Sequence, residues 1–256
     1  MTGQPVERYF GAHRDAPDSR DRIYKPAALK SFPKSVDLRA QCPAVYDQRP
    51  LQSCTANATA AAVQFERMRH GLKPDFTPSR LFIYYNERKL LGTQDKDGGA
   101  PLREAIKVLV KHGDCPEHHW PYDAAKVNVE PTQPCYKEAV RYEDMSYERL
   151  EQDLSHMRAC LASGSPFVMS FGIYSGAETE AARMAETYPT PRPGETLLGN
   201  HAVMAVGYDD AGERLLMRNS YGGKWGMAGY FWLPYAYARD PKLAGDFWTL
   251  RLKAAR

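Results

Sequence analysis

A loop that ends abruptly in an alanine-rich helix is the feature that most constrains the fold of this chain. The loop occupies residues 46–53 and contains Pro50, which excludes regular secondary structure at that point. Ser53 has a side chain favoured at a helix N-cap, and Cys54 follows it directly. Apolar residues recur at helical spacing over residues 55–69, so the sequence predicts a helix with a cysteine at its start.

Cys54 has the surroundings expected of a nucleophile. A cysteine in the first turn of a helix lies at the positive end of the helix dipole, which favours thiolate over thiol. Gln48 brings a side-chain amide donor six positions earlier. A nucleophile beside such a donor is typical of acyl transfer, in which a tetrahedral oxyanion must be stabilised. Without this context, a lone cysteine is more often a small buried apolar residue.

Two later segments supply a base and a polar side chain to orient it. His201 begins the strand-like run HAVMAV, and Asn219 ends the run LLMRN. Cysteine, histidine and asparagine in this order, with the histidine roughly 150 residues after the cysteine, resemble the papain family of cysteine proteases. The resemblance extends from about residue 36 to the C-terminus, and it is strongest to the bacterial branch of the family.

The resemblance implies an α+β fold of two subdomains, with a helical left half, a β-barrel-like right half and the active-site cleft between them. Runs of helix-forming sequence followed by runs of strand-forming sequence favour the same class. We therefore expect an N-terminal segment at 1–35 and a peptidase domain at 36–256. The helical half would span about 45–125, and the β-rich half about 126–256.

The resemblance also implies a mechanism. Cys54 and His201 would form a thiolate–imidazolium pair that attacks a peptide carbonyl. Gln48 and the Cys54 backbone N–H would hold the oxyanion. His201 would protonate the leaving amine and then activate water against the acyl-enzyme, while Asn219 would orient the imidazole.

Further cleft residues follow from the same resemblance. Paired glycines would let an extended substrate backbone approach the cleft wall, and a second specificity pocket would lie near the catalytic histidine. Aromatic rings would shield the histidine–asparagine hydrogen bond, with a tyrosine in place of the family's first tryptophan. The paired glycines are Gly98 and Gly99, and the pocket residues are Asn200 and Ala202. The aromatic residues are Tyr221 and Trp225. Gln52 and Thr55 depart from the family pattern and alter the rim of the cleft.

Local patterns predict further elements. A helix is expected over 78–91, an amphipathic helix over 102–112 and a third over 147–162. A short opening strand is expected within 36–45. Strands are expected in the runs 166–171, 201–206, 214–218, 229–233 and 247–252.

The first 35 residues hold seven Lys or Arg and four Asp or Glu, which accounts for the whole net charge of +3. The segment contains four prolines and little periodicity. This composition is typical of a disordered tail, whereas the resemblance implies a short pro-segment that would inhibit the active site of the same chain. The rest of the chain has no clustered basic face, so a nucleic-acid partner is not expected.

The remaining expectations concern ligands, cysteines and location. No membrane association, metal or organic cofactor is expected, and residues 115–119 (CPEHH) lack a second ligand pair at zinc spacing. The pairing state of Cys42, Cys115, Cys135 and Cys160 stays open, as does a Cys115–Cys135 disulfide. We expect a monomer that acts on polypeptides. It would be cytoplasmic or exported without a recognisable signal peptide.

Two other functions remain open from the sequence. The same nucleophile could transfer its acyl group to an amine instead of water. Alternatively, the chain could be an inactive papain-fold protein that binds peptides or a partner.

Overall fold

The computed structural model describes residues 9–26, 31–179, 181–182 and 185–253. Residues 1–8 and 27–30 of the predicted N-terminal segment lie outside this part of the chain. Six α-helices lie wholly within the described residues: α1 Cys54–Arg69, α2 Arg80–Leu90, α3 Leu102–His112, α4 Gln133–Ala139, α5 Leu154–Ala162 and α6 Tyr235–Arg239.

The same residues contain one sheet of nine strands. The strands are β1 Ala12–His13, β2 Ser35–Asp37, β3 Ala100–Pro101, β4 Met145–Arg149, β5 Phe167–Tyr174, β6 Leu197–Asp209, β7 Arg214–Arg218, β8 Tyr230–Pro234 and β9 Ala244–Leu252.

The first three helices form as their sequences predict. In α1 almost every residue is buried, because the helix packs between the other helices and the sheet. The Ser79 hydroxyl caps α2 by accepting a hydrogen bond from the Phe82 N–H at 3.1 Å. The predicted helix over 102–112 is confirmed, and it ends at Gly113, whose φ of 74° suits glycine.

Strand β6 is the centre of the sheet. It pairs antiparallel with β5 over most of its length, and it also pairs with β1, β2 and β7. The strand order is β3-β1-β6-β5-β9-β4, with β8 attached through β7. Both faces of β5 and of the middle of β6 are buried, which explains their continuous apolar sequences.

The right half is less closed than expected. The expectation of a β-barrel-like half needs correction, because the sheet does not close: β3 and β4 lie at opposite ends of the strand order. The expected opening strand within 36–45 is also shorter than the pattern suggested. Only Ser35–Asp37 pairs with β6, and a 3₁₀ turn follows at Arg39–Gln41.

The predicted helix over 147–162 is wrong in its first half. Residues Met145–Arg149 instead form β4 and pair antiparallel with β9 along five positions. The helix begins only at Leu154, because the Asp153 carboxylate accepts a hydrogen bond from the Ser155 N–H at 2.7 Å. Residues Met145–Arg149, which precede the cap, therefore join the edge of the sheet and do not extend the helix.

Among the residues that the structure describes, no helix combines the length and the apolar character needed to span a bilayer.

Replacing Asp153 with alanine removes the N-cap acceptor of α5. We expect the free energy of unfolding to fall by about 1 kcal/mol, which is typical for loss of a helix cap. Chemical denaturation of the full chain measures this change. Asp153→Asn keeps an acceptor oxygen and should lose much less. Equal losses for the two variants would mean that the charge of Asp153, not its capping bond, stabilises the helix.

Candidate active site

Cys54 is the first residue of α1 and is fully buried. Ser53 precedes it at the N-cap position but makes no capping bond to the helix, contrary to the sequence prediction. Its hydroxyl instead lies 2.6 Å from the Tyr122 hydroxyl and accepts a hydrogen bond from the Asn57 side chain at 3.1 Å. The turn before the nucleophile is therefore fixed by side-chain contacts.

His201 is carried by β6 and faces Phe171 of β5 across the sheet. Its Nε2 lies 2.8 Å from Asn219 Oδ1, which also accepts a hydrogen bond from the Ser220 N–H at 2.8 Å. Because a carbonyl oxygen only accepts, Nε2 carries the hydrogen in this contact. The expected orientation of the imidazole by Asn219 is thus present in the geometry.

Aromatic rings cover this pair. Tyr221 stacks on the His201 ring, with centroids 4.8 Å apart and planes at 29°. Trp225 packs edge-on against Tyr221 at 5.4 Å. Tyr221 is only 9% exposed, and its ring lies where the sequence analysis expected an aromatic side chain beside His201.

Gln48 is buried beside the same loops. Its backbone N–H donates to the Ser220 carbonyl at 2.8 Å, and its Oε1 accepts from the Ser220 hydroxyl at 2.6 Å. Its Nε2 donates to the Leu51 carbonyl at 2.8 Å. Ser220 therefore joins the loop of the amide donor to the loop of Asn219. Sequence reasoning missed this role, although its position directly after Asn219 was a signal.

Three separate segments of the chain meet around the Cys54 sulfur. The backbones of Ala202, Gly11 and Thr55 approach it closely enough to favour its thiolate form, and Ala202 directly follows His201. Burial nevertheless raises the pKa of the Cys54 thiol to about 11, and these backbone contacts only partly oppose it. With the sulfur buried in this way the raised pKa favours the thiol, whereas the helix start by itself would favour the thiolate.

The cleft is closed by residues 9–26, which we call the N-terminal strap. The Gly11 carbonyl accepts a hydrogen bond from the Ala100 N–H at 2.9 Å, and Ala12 pairs with Asn200 on the opposite wall. The Tyr9 carbonyl lies 3.5 Å from Gln48 Nε2. The strap thus contacts both walls and the amide donor.

The paired glycines contribute differently from each other. A Cβ on Gly99 would lie 1.9 Å from the Gly11 oxygen, and the φ of Gly99 is 74°, so only glycine fits beside the strap. The Gly99 N–H donates to the Tyr84 hydroxyl at 3.1 Å, which leaves Ala100 to bind the strap backbone. A Cβ on Gly98 would meet nothing within 4 Å.

Metal ligation finds no support in the described part of the chain, where no group of three or more His, Cys, Asp or Glu side chains converges. The five cysteines are thiols. Cys115 and Cys135 are buried and in contact, and this contact and burial raise the pKa of the Cys115 thiol above its ordinary value.

Known proteins resemble this chain over nearly its whole length. The solved structure of xylellain, a cysteine protease from Xylella fastidiosa, is 43% identical, covers 96% of each chain and has a TM-score of 0.90. A peptidase C1-like protein of Acanthamoeba polyphaga mimivirus is 36% identical over 98% of this chain and 89% of its own length.

A more distant structure shows the fold alone. Procathepsin B S9 from Trypanosoma congolense is 16% identical and has a TM-score of 0.68, covering 95% of this chain and 85% of its own.

The family model described as papain family cysteine protease matches residues 32–243. The chain belongs to the papain family of cysteine proteases.

Proposed function

We propose that Cys54 is the nucleophile of this cysteine protease, with His201 as general acid and base and Asn219 as its orienting partner. The observation that carries the proposal is the path of the strap. An extended peptide crosses both cleft walls and passes the Cys54 sulfur and the Gln48 amide. A polypeptide substrate would use the same groove.

The reaction would begin once the strap leaves and water reaches the cleft. The Cys54 proton then passes to His201, and the thiolate attacks the peptide carbonyl. Gln48 Nε2 and the Cys54 N–H bind the resulting oxyanion. His201 gives its proton to the leaving amine and later activates the water that releases the acyl group.

Cleavage within a chain fits the same geometry. The described strap runs through the groove from Tyr9 to His13 and continues from there to residue 26, so the groove accepts an extended segment with further chain attached to it. We therefore propose an endopeptidase. Nothing in the site favours amine acceptors over water, and the intact Cys54, His201 and Asn219 argue against an inactive binding protein.

The strap would keep the protease latent, and the division at residue 35 would separate inhibitor from enzyme. Strand β1 inserts between β3 and β6, so the strap completes the sheet across the cleft. It pairs parallel with β3, as Ala12 lies opposite Ala100, and antiparallel with β6. While it remains there, no substrate carbonyl can reach the sulfur.

A second set of contacts anchors the strap beyond the cleft. Asp15 accepts hydrogen bonds from the Arg103 N–H at 3.1 Å and the Trp248 indole at 2.8 Å. The Asp21 carboxylate binds Arg103 at 2.6 Å and Arg149 at 2.9 Å. Arg103 belongs to α3 and Arg149 to β4, so this anchor also joins helix to sheet.

Adding one methyl group to Gly11 tests latency. A Cβ there would lie 2.0 Å from the Gln52 carbonyl oxygen, so Gly11→Ala should displace the strap. Overpacking of this kind costs about 1–3 kcal/mol. We therefore expect a mechanism-based papain-family inhibitor to label Cys54 about tenfold faster or more than in the wild-type full chain.

The matched control is Gly223→Ala, where the added methyl would meet nothing within 4 Å. It should label at the wild-type rate, and Cys54→Ala serves as the blank. Equal labelling rates for Gly11→Ala and wild type would contradict latency. They would not contradict the protease function. If neither form reacts although both are folded, Cys54 is not the nucleophile.

The strength of the strap should depend on pH. Burial, with the nearby Asp246 charge, raises the pKa of Asp15 to about 6, although Arg103 and Trp248 oppose this. A released aspartate titrates near pH ~4, so the bound strap holds its proton more tightly. Acidification through pH 6 therefore strengthens strap binding, and raising the pH weakens it.

We accordingly expect the labelling-rate ratio of Gly11→Ala to wild type to be larger at pH 5 than at pH 7.5. The ratio cancels the intrinsic pH dependence of the thiol reaction. A ratio that stays constant or falls on acidification would contradict the role of Asp15.

A further inference from the structure

The Gln48 backbone is hydrogen-bonded from two distant parts of the chain. Ser220 binds its N–H and its side-chain oxygen, as described above. The Gln48 carbonyl oxygen accepts a hydrogen bond from the Tyr122 hydroxyl at 2.8 Å. Tyr122 lies in the connection between α3 and α4. It was not among the site residues expected from the sequence. It nevertheless touches the residue that provides the oxyanion donor.

The direction of this contact follows from counting hydrogens. The Gln48 carbonyl can only accept, so the single Tyr122 hydroxyl hydrogen is committed to it. Ser53, 2.6 Å away, must then donate its own hydrogen to Tyr122 and accept one from Asn57. Burial raises the pKa of Tyr122 to about 12, so the phenol stays neutral and remains a donor. The result is a directed chain of hydrogen bonds, in which each bond polarises the next.

The Tyr122 ring is clamped in place by Arg80 of α2. The Arg80 guanidinium carbon lies 4.0 Å from the centroid of the Tyr122 ring and 4.9 Å from that of Tyr46. Glu117 holds the guanidinium with two hydrogen bonds, at 2.8 and 2.7 Å. The guanidinium also donates to Asn57, at the far end of the same chain, at 3.3 Å. One cation thus contacts two members of the hydrogen-bond chain, Tyr122 and Asn57.

We propose that Tyr122, clamped by Arg80, is a positioning residue for the oxyanion donor Gln48. The inference rests on the proposed function, because it assigns Gln48 to the oxyanion. Tyr122 does not touch the reacting atoms. It sets the backbone from which the Gln48 amide projects, and a donor is useful only at the position where the oxyanion forms. Its loss should therefore reduce kcat and leave KM unchanged.

Tyr122→Phe tests this by removing one oxygen atom. We expect kcat for a fluorogenic peptide to fall about tenfold, the usual size of one lost neutral hydrogen bond, with KM unchanged. Gln48→Ala alone should lower kcat by about 10²–10³-fold. The double variant should be no slower than Gln48→Ala, because Tyr122 acts through Gln48. All variants are made in the full chain, with and without Gly11→Ala, and kcat is taken per active site titrated.

Tyr208→Phe is the matched control, since the Tyr208 hydroxyl likewise donates to a backbone carbonyl, that of Pro33, at 2.7 Å. It should leave kcat unchanged at a thermal midpoint similar to that of Tyr122→Phe. An unchanged kcat in Tyr122→Phe, or effects that multiply in the double variant, would overturn the inference while the protease function stands. If no form with intact Cys54 cleaves peptide, the proposed function fails and takes the inference with it.

Discussion

Backbone hydrogen bonding along β6 is the constraint on which the site depends. The strand pairs with β5 over most of its length and shares its remaining positions among β1, β2 and β7. Because side chains alternate between the faces of a strand, this register decides which face carries His201. A slip of one residue would place the His201 imidazole on the opposite face of the sheet. The strap uses the end of the same strand, so catalysis and its inhibition share one scaffold.

Burial of the nucleophile shows which electrostatic effect dominates in the closed state. A helix dipole contributes roughly 0.3–1 kcal/mol at an exposed terminus, whereas full burial shifts a pKa by as much as 3–5 units. The raised pKa of the Cys54 thiol agrees with burial being the larger of these two effects. In the proposed latent state the strap would therefore inhibit in two ways: it would occupy the groove, and the burial of the sulfur would keep it in its less reactive protonated form.

The sequence allowed the fold class, α3 and the Cys54, His201 and Asn219 segments to be predicted, because each has a local pattern or a known spacing. The path of the strap could not be predicted in the same way. Strand β1 has only two residues, and its partners lie near residues 100 and 200. Residues 147–149, the end of β4, were mistaken for helix because their pairing partner β9 is about a hundred residues away. The pKa of Cys54 depends on the burial of its sulfur in the folded chain, which no local pattern encodes.

The strap belongs to the same chain as the site that it covers. A tethered ligand meets its site at an effective concentration that can reach the millimolar range, so even weak intrinsic binding keeps the cleft occupied. The contacts of Gly11, Ala12 and Asp15 therefore need not resemble those of a tight free inhibitor. A single cut in the connecting chain would turn the strap into a separate peptide that dilution removes. Activation would then be irreversible even though every contact in the closed state is reversible.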